Sequence, residues 1–181
     1  MIPRPEPQEY AQWYAGYISG VQGQDPLATM LAQLESTGAM LDAVDDEAAG
    51  HRYAPGKWSV REIVGHLSDT ERIMSYRALR LARGDTTPLP GFDENDYVAA
   101  AGFDARPLPE LVREWRDVRR ATIALVAGLD PDVLARRGTV SDGPMSVRAR
   151  IYIIPGHEAH HVEVLRARYG IGGPSRPGSA S

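Results

Sequence analysis

Three of the five histidines in this chain fall within five consecutive residues near its C-terminal end, His157-Glu158-Ala159-His160-His161. Successive residues of an α-helix are about 100° apart, so His157 and His161 share one face and are separated by one turn. Two imidazoles in this arrangement can hold two coordination sites of a divalent cation. A third ligand must come from another part of the chain, and His66 is the histidine placed to supply it. Three neutral nitrogens leave open positions on a cation, which is typical of catalytic rather than structural sites.

The same residues allow other interpretations. The stretch 157–161 matches H-E-x-x-H, the zinc-protease motif in which the glutamate is a general base. That motif requires a further ligand well beyond its second histidine, and only 20 residues follow His161. His160 could replace His161 through i,i+3 pairing, but it leans away from the apolar side of the helix. A cluster of three histidines that binds no metal is a further alternative.

A general base is harder to identify from the sequence. Glu158 is a weak catalytic candidate, because it adjoins a predicted ligand but lies about 100° around the helix from it. Asp69 is no better placed on its own predicted helix. The sequence therefore assigns no catalytic base.

Four amphipathic segments must position these histidines, and each carries the signals of a helix. Ser59 and Glu62, for example, form a capping box at the start of the second segment. Pro155 lies inside the fourth segment, so this helix should kink there or begin afresh. The predicted helices span residues 26–45, 60–83, 108–129 and 147–169.

The apolar faces of these helices are interrupted by polar or small residues. Thr37 and Gly38 interrupt the first face and His66 the second. Thr122 interrupts the third, whose heptad pattern otherwise predicts that Trp115 is buried. Buried polar groups cost free energy unless they are satisfied, so they tend to gather around a site. The sequence therefore predicts an all-α, up-down four-helix bundle without strands, with a long crossover between helices 2 and 3 and a metal cup inside.

The segments outside the four helices differ from them in composition. Residues 1–24 form an N-terminal aromatic arm, residues 25–170 the bundle domain, and residues 171–181 a flexible tail rich in glycine, proline and serine. We expect the arm to pack on the surface of the domain, and the alternative is that it covers one wall of a pocket. Its aromatic residues are Tyr10, Trp13, Tyr14 and Tyr17.

Charged residues around the second helix and the crossover have less specific interpretations. The crossover, residues 84–107, is long enough to suggest a functional role. Its acidic stretch, residues 93–97, could edge a site or form an exposed connection. We expect the helically spaced row Arg77, Arg80 and Arg83 to be solvated.

The composition limits the classes of function. The chain has 181 residues, 43% of them hydrophobic, and a net charge of −4, which predicts one soluble domain without a general nucleic-acid-binding surface. No apolar run approaches the roughly 18 residues of a membrane span, and the N-terminus lacks the features of a secretory signal, so we expect a cytoplasmic protein. The chain contains no cysteine, which excludes disulfides, thiolate ligands and a cysteine nucleophile.

Two stretches resemble the signatures of a known family. Trp58-Ser59-Val60-Arg61-Glu62-Ile63-Val64-Gly65-His66-Leu67 and Gly156-His157-Glu158-Ala159-His160-His161 are similar to the two motifs of the DinB/YfiT-like superfamily of metal-binding four-helix bundles. The resemblance covers about residues 25–170. It implies that His66, His157 and His161 hold one divalent metal ion, which in that family is nickel, zinc or iron.

The resemblance also implies an activity on a small-molecule substrate. Characterised relatives are transferases that use a low-molecular-weight thiol such as bacillithiol or mycothiol, and others are described as metal-dependent hydrolases. We therefore expect a metal-dependent S-transferase that joins such a thiol to a small electrophile. The alternatives are a hydrolase that uses metal-activated water and a non-catalytic metal-binding module.

Two further expectations concern assembly and pH. Homodimerisation fits the resemblance, since bundle relatives often pair, although no pattern in these residues requires it. Metal binding should fade below about pH 6, because the ligands must be neutral and unperturbed histidine titrates near pH 6.5.

Overall fold

Four long helices form the bundle of this protein, and each of the first two packs against both of the last two. The computed structural model describes residues 1–21 and 25–172, and within them three short α-helices, several 3₁₀ turns and a two-stranded hairpin accompany the bundle. The helices are α1 Ala15–Gly20, α2 Pro26–Asp42, α3 Asp46–Gly50, α4 Val60–Ala82, α5 Glu94–Ala101, α6 Leu108–Ala127 and α7 Val147–Tyr169, and the strands are β1 Arg137–Val140 and β2 Gly143–Ser146. The predicted four-helix-bundle class is confirmed, with α2, α4, α6 and α7 as the long helices. Among the described residues, no helix combines the length and apolarity needed to cross a bilayer.

The ends of α4 lie close to where the sequence predicts them. The Ser59 hydroxyl accepts a hydrogen bond from the backbone N–H of Glu62, and the Glu62 carboxylate accepts one from the N–H of Ser59. Gly84, at φ +78°, follows the end of the helix in the left-handed conformation that glycine tolerates best. The first bundle helix, α2, ends three residues earlier than predicted, because the Asp45 side chain caps the short helix α3.

The buried face of α6 differs from the predicted heptad seam. Trp115 is fully buried, as predicted, within a cluster that also contains residues of α4. Val118 and Leu125 are only half-buried, whereas Arg119 lies inside the bundle. Arg119 can be buried because two buried carboxylates, one on α4 and one on α7, form ion pairs with it.

The expectation of a chain without strands is wrong at residues 137–146. The strands β1 and β2 pair antiparallel, with Arg137 opposite Ser146. Ser141 and Asp142 join them with φ of 50° and 61°, the positive values that tight hairpin turns require. The sequence does mark residues 141–144 as a turn. The strands themselves contain glycine and proline and lack the alternation of apolar residues by which strands are recognised.

The crossover and the region of Pro155 are more regular than the sequence predicts. The crossover contains α5, whose first turn is capped by the Asp93 side chain. The last helix, α7, runs without a break through Pro155, so the alternative of a fresh start at this residue is wrong. Gln33 of α2 donates a hydrogen bond to the Pro155 carbonyl oxygen at 2.8 Å, which ties α7 to α2 at the proline.

Candidate metal centre

Three histidines from two helices converge inside the bundle. The Nε2 atom of His157 lies 3.1 Å from Nε2 of His66 and 3.2 Å from Nε2 of His161. One ligand atom from each ring lies within 4.8 Å of the others, and no other group of three such ligands occurs in the described parts of the chain. The structure therefore brings together the three residues that the sequence singles out.

The spacing of these nitrogens fits coordination of a shared cation. Histidine nitrogens bind zinc at about 2.0–2.1 Å, so two of them lie about 2.9–3.4 Å apart when the angle at the metal is 90–110°. The two observed separations, 3.1 and 3.2 Å, fall within that interval. An uncharged three-nitrogen set of this kind suits nickel, zinc or iron.

Burial keeps the three imidazoles neutral. It lowers the pKa of His66 to about 4 and that of His161 to about 3, and it holds the pKa of His157 well below the ordinary histidine value. The neighbouring rings lower the pKa of His157 and His161 further. The lone pairs thus stay available for a cation at mildly acidic pH. The limit of about pH 6 expected from the sequence assumes an unperturbed histidine, and because burial lowers these pKa values we expect metal binding to persist below that limit.

Thr70 orients one of the rings. Its Oγ1 atom lies 3.3 Å from Nδ1 of His66, one helical turn away on α4. When Nε2 of His66 presents its lone pair to a cation, Nδ1 carries the proton and donates to the Thr70 oxygen. This threonine, which the sequence analysis does not single out, therefore fixes which nitrogen faces the centre.

Two aromatic side chains enclose the histidines. The Trp58 ring packs 4.7 Å from the His66 ring and is stacked at 6.4 Å on His161. The Tyr17 ring lies edge-on to His157 at 5.5 Å, measured between ring centroids. Because Tyr17 belongs to α1, the N-terminal segment forms a wall of the site. The expectation that this segment only packs on the surface is wrong, and the alternative of a pocket wall is confirmed.

A buried carboxylate anchors the N-terminal segment next to the site. The Ser146 hydroxyl donates to Glu9 Oε2 at 2.7 Å, and Nε of Arg148 donates to the same oxygen at 2.8 Å. These hydrogen bonds, that from Arg148 above all, lower the pKa of Glu9 to about 2. The segment is thereby held to the hairpin and to the start of α7.

The histidines open into a cavity of about 380 Å³. Its size lies at the lower end of the range for small-molecule sites. Trp13, Tyr14 and Tyr17 of the N-terminal segment form one wall, and Phe92 and Glu94 from the crossover form another. A wider groove of about 840 Å³ runs between α4 and α6, but none of the three histidines lines it, so we do not place the site there.

The carboxylate of Glu158 is directed away from this cavity. Thr37 Oγ1 donates to Glu158 Oε1 at 2.6 Å, and Nη2 of Arg119 lies 2.5 Å from Oε2. Arg119 also pairs with Glu71, so a buried ionic cluster joins α2, α4, α6 and α7. Burial raises the pKa of Glu158, while the Arg119 guanidinium opposes that shift. Glu158, the weak catalytic candidate of the sequence, is thus bound by Thr37 and Arg119 and does not face the cavity.

The other interrupted faces do not contribute to the metal cup either. Thr37 contacts Glu158, Gly38 leaves room for the guanidinium of Arg116, and the Thr122 hydroxyl donates to a carbonyl of its own helix. The prediction that these residues gather around the histidines is therefore wrong. Thr37 and Gly38 accommodate charged side chains instead, since Thr37 donates to a buried carboxylate and Gly38 leaves space beside a guanidinium.

The remaining candidates lie at the edge of the site or outside it. His160 is exposed, lines the cavity and meets the Tyr17 ring edge-on at 5.8 Å. Of the acidic stretch 93–97, Glu94 lines this cavity. Asp69 does not line it and instead contacts Arg72 at 3.4 Å. Burial raises the pKa of Asp69.

Two arginines that line the cavity are not identified by sequence analysis. Arg77 is buried rather than solvated, with its guanidinium 5.6 Å from the centre of the Phe92 ring and a hydrogen bond to the Pro90 carbonyl. Arg150 is fully buried, with its guanidinium 5.0 Å from the centre of the Tyr14 ring. Helical spacing is the one signal that could have found them, since each lies on the same face of its helix as a predicted ligand.

The fold and the histidine cluster define a four-helix bundle with a candidate three-histidine metal centre. Residues 30–165 match the model of the DinB superfamily, and the chain belongs to that family. A relative from Oceanobacillus iheyensis, named "Putative metal-dependent hydrolase OB0413", is 24% identical over 131 residues, which cover 71% of this chain and 75% of the relative.

A solved structure shares the fold. It is YfiT from Bacillus subtilis, described as "a probable metal-dependent hydrolase with an unusual four-helix bundle topology". The match has a TM-score of 0.68 and 16% sequence identity, and it covers 94% of this chain and 95% of YfiT. At this identity the likeness establishes the fold alone.

Proposed function

We propose that this protein is a divalent-metal-dependent enzyme whose metal ion is held by His66, His157 and His161. The observation that carries the proposal is the convergence of three neutral imidazoles, two buried and one half-buried, beside a cavity of small-molecule size, with Nε2 of His157 at coordination spacing from the other two Nε2 atoms. The name of the Oceanobacillus relative supports a metal-dependent activity. We expect one ion of nickel, zinc or iron in each chain.

The residues around the centre bind and shield the reactants. A divalent cation would supply Lewis acidity, which lowers the pKa of a coordinated water to about 7 and removes the proton of a coordinated thiol. Trp58 and Tyr17 pack against the histidine rings and limit the access of bulk water. Thr70 holds the His66 ring in the orientation that directs Nε2 toward the centre. The cavity places a small molecule beside the histidines, so that proximity contributes to the rate.

The reaction that we favour is transfer of a low-molecular-weight thiol to a small electrophile. The chain has no cysteine, so a sulfur nucleophile must arrive as a cosubstrate. An activated thiol needs no dedicated base. This agrees with the site, because Glu158, the carboxylate next to the ligand His157 in the sequence, is bound by Thr37 and Arg119. The family resemblance of the two histidine motifs supports the same chemistry.

Hydrolysis is the second candidate, and two observations favour it. The Oceanobacillus relative carries the name of a hydrolase. Glu94 is an exposed carboxylate on the wall of the cavity, where it could accept a proton from an attacking water. A non-catalytic metal-binding module is the outcome if neither reaction occurs.

Turnover of metal-loaded protein distinguishes these functions. A haloaromatic or epoxide is supplied with and without bacillithiol, mycothiol or glutathione, and a panel of esters and amides is supplied without thiol. Product formation that requires the thiol and disappears in His161→Ala supports transfer. Cleavage without thiol that is lost in the same variant supports hydrolysis.

A matched control and a negative result complete this experiment. The control is His51→Ala, because His51 is exposed and does not line the cavity. Absence of both reactions at full metal occupancy contradicts an enzymatic function.

A further inference from the structure

Arg150 is a fully buried cation that forms no ion pair with any described carboxylate. None of its three guanidinium nitrogens makes a hydrogen bond of normal geometry with the described residues. Tyr14 is a neutral neighbour: the centre of its ring lies 5.0 Å from the guanidinium carbon, and its phenol group also interacts with the guanidinium. An arginine stays protonated even when buried, and burial of an unpaired charge is costly unless a partner compensates it. Such a residue in a native protein indicates a missing acceptor.

The missing acceptor has space in the cavity of the histidine centre, because Arg150 lines that cavity. Arg150 lies seven residues before His157 on α7, which is two helical turns and about 10 Å along the axis, on the same face. Arg77 lies eleven residues after His66 on α4, about 16 Å along that axis and on the same face, and it lines the same cavity. The two helices thus place the histidines toward one end and the two arginines toward the other.

The charges of the cavity favour an anion at the arginine end. Arg77 and Arg150 are both buried, whereas Glu94 is the one acidic residue among the described residues that line the cavity, and it is exposed. The buried carboxylates Glu71 and Glu158 pair with Arg119 and are not available as counterions. Arg77 gives one hydrogen bond to the Pro90 carbonyl and keeps further donors free, since a guanidinium has five N–H groups.

We propose that Arg150 and Arg77 bind an anionic group of the molecule whose reactive end reaches the three histidines. The anionic group is a carboxylate, sulfonate or phosphate, all of which a guanidinium binds through paired oxygens. The site therefore selects a small elongated molecule with an anionic head and a reactive group on the order of 10 Å away, the rise of seven helical residues. Aromatic and apolar side chains also line the cavity, among them Tyr14 and Met74, and they suit an apolar middle of the molecule. The assignment of a reactive group at the histidines rests on the proposed function, whereas the binding of an anion by the two arginines does not depend on it.

Three probes that differ at one end test this site. They are 6-mercaptohexanoate, 6-mercaptohexanol and hexanoate, titrated by calorimetry into nickel-loaded and into metal-free protein. We expect 6-mercaptohexanoate to bind at least tenfold more tightly than 6-mercaptohexanol, and hexanoate to bind even without metal. Arg150→Met and Arg77→Met should each abolish most of this preference. Arg83→Met is the matched control, because it removes the same charge from an exposed position of the same arginine row.

Thermal unfolding separates binding from structure. Because Arg150 is a buried charge without a compensating carboxylate, Arg150→Met should raise Tm by about 2–4 °C while it weakens anion binding. A purely structural arginine would instead lower Tm on removal. If Arg150→Met does not fold, Arg77→Met still tests the site. An undiminished carboxylate preference in Arg77→Met or in a folded Arg150→Met, or an equal loss in Arg83→Met, overturns the proposal.

The same titrations show which reactant carries the anionic group and whether the metal centre and the anion site stand independently. A nickel–thiolate absorption band with 6-mercaptohexanoate assigns the anionic group to the thiol cosubstrate, and anion binding without the band assigns it to the other reactant. Hexanoate binding that depends on Arg150 in a protein that takes up no nickel contradicts the proposed function alone. Full nickel occupancy without any carboxylate preference contradicts the anion site alone.

Discussion

A Cβ atom placed on Gly156 would lie 2.0 Å from the backbone carbonyl oxygen of Tyr17. This contact lets α1 approach α7 at the residue that precedes His157. Because the obstructing atoms belong to a backbone, they cannot rotate away as the end of a side chain can. Glycine at position 156 is therefore what allows the N-terminal segment to close one wall of the histidine site.

Replacement of Gly156 by alanine should displace the N-terminal segment from α7. We expect Gly156→Ala to lower the free energy of unfolding by about 1–3 kcal/mol, the usual cost of forcing extra volume into a packed interior. Denaturant unfolding measures this change. Gly16→Ala is the control, because a Cβ at Gly16 meets nothing within 4 Å, and alanine in a helix is favoured over glycine by about 1 kcal/mol. Equal stability of the two variants would show that the close contact is not present in solution.

The anchor at Glu9 should make the stability of the protein sensitive to acid. The pKa of Glu9 is about 2 in the folded protein against an ordinary value of 4.5. Its contribution is therefore complete above about pH 4.5 and is lost as the pH falls toward 2. The difference corresponds to at most about 3–4 kcal/mol, since each pKa unit is worth about 1.36 kcal/mol.

Substitution of this carboxylate tests the size and the sign of the effect. Glu9→Gln should be less stable than the unaltered protein at pH 7, and urea unfolding should show this gap shrinking near pH 3. Glu6→Gln, at an exposed position of the same segment, should change stability by less than about 0.5 kcal/mol at either pH. A gap for Glu9→Gln that widens in acid contradicts the assigned role.

Glu158 should contribute to stability rather than to chemistry. Glu158→Gln removes one carboxylate from the buried pair with Arg119, so unfolding measurements should show a loss of about 2–3 kcal/mol, less than for an isolated pair because Glu71 remains. Nickel content after loading should be unchanged. The control, Glu163→Gln, alters an exposed position of the same helix and should be nearly neutral. A folded, metal-replete Glu158→Gln protein that has lost all turnover would restore Glu158 as a catalytic residue.

The parts of the site that local rules govern are visible in the sequence. The one-turn spacing of His157 and His161 and the capping box at Ser59 depend on residues only three or four positions apart. His66 is identifiable because a titratable ring falls on an otherwise apolar stripe. These features predict the bundle and the convergence of the three rings.

The parts that depend on distant partners are not visible. Arg119 interrupts no pattern that marks it as buried, because the carboxylates that permit its burial lie on other helices. The role of Tyr17 as a wall depends on the close approach allowed by Gly156, which is 139 positions away in the chain. Arg150 looks like an ordinary surface residue until the fold places it in the cavity.

Metal content tests the central claim most directly. Purified protein is loaded with nickel, desalted and analysed for metal by elemental analysis, alongside alanine variants of the four histidines near the site. The account predicts about one ion per chain in the unaltered protein and in His160→Ala, and loss of the ion in His66→Ala, His157→Ala and His161→Ala. Full occupancy in a folded His66→Ala protein would contradict a centre shared between α4 and α7.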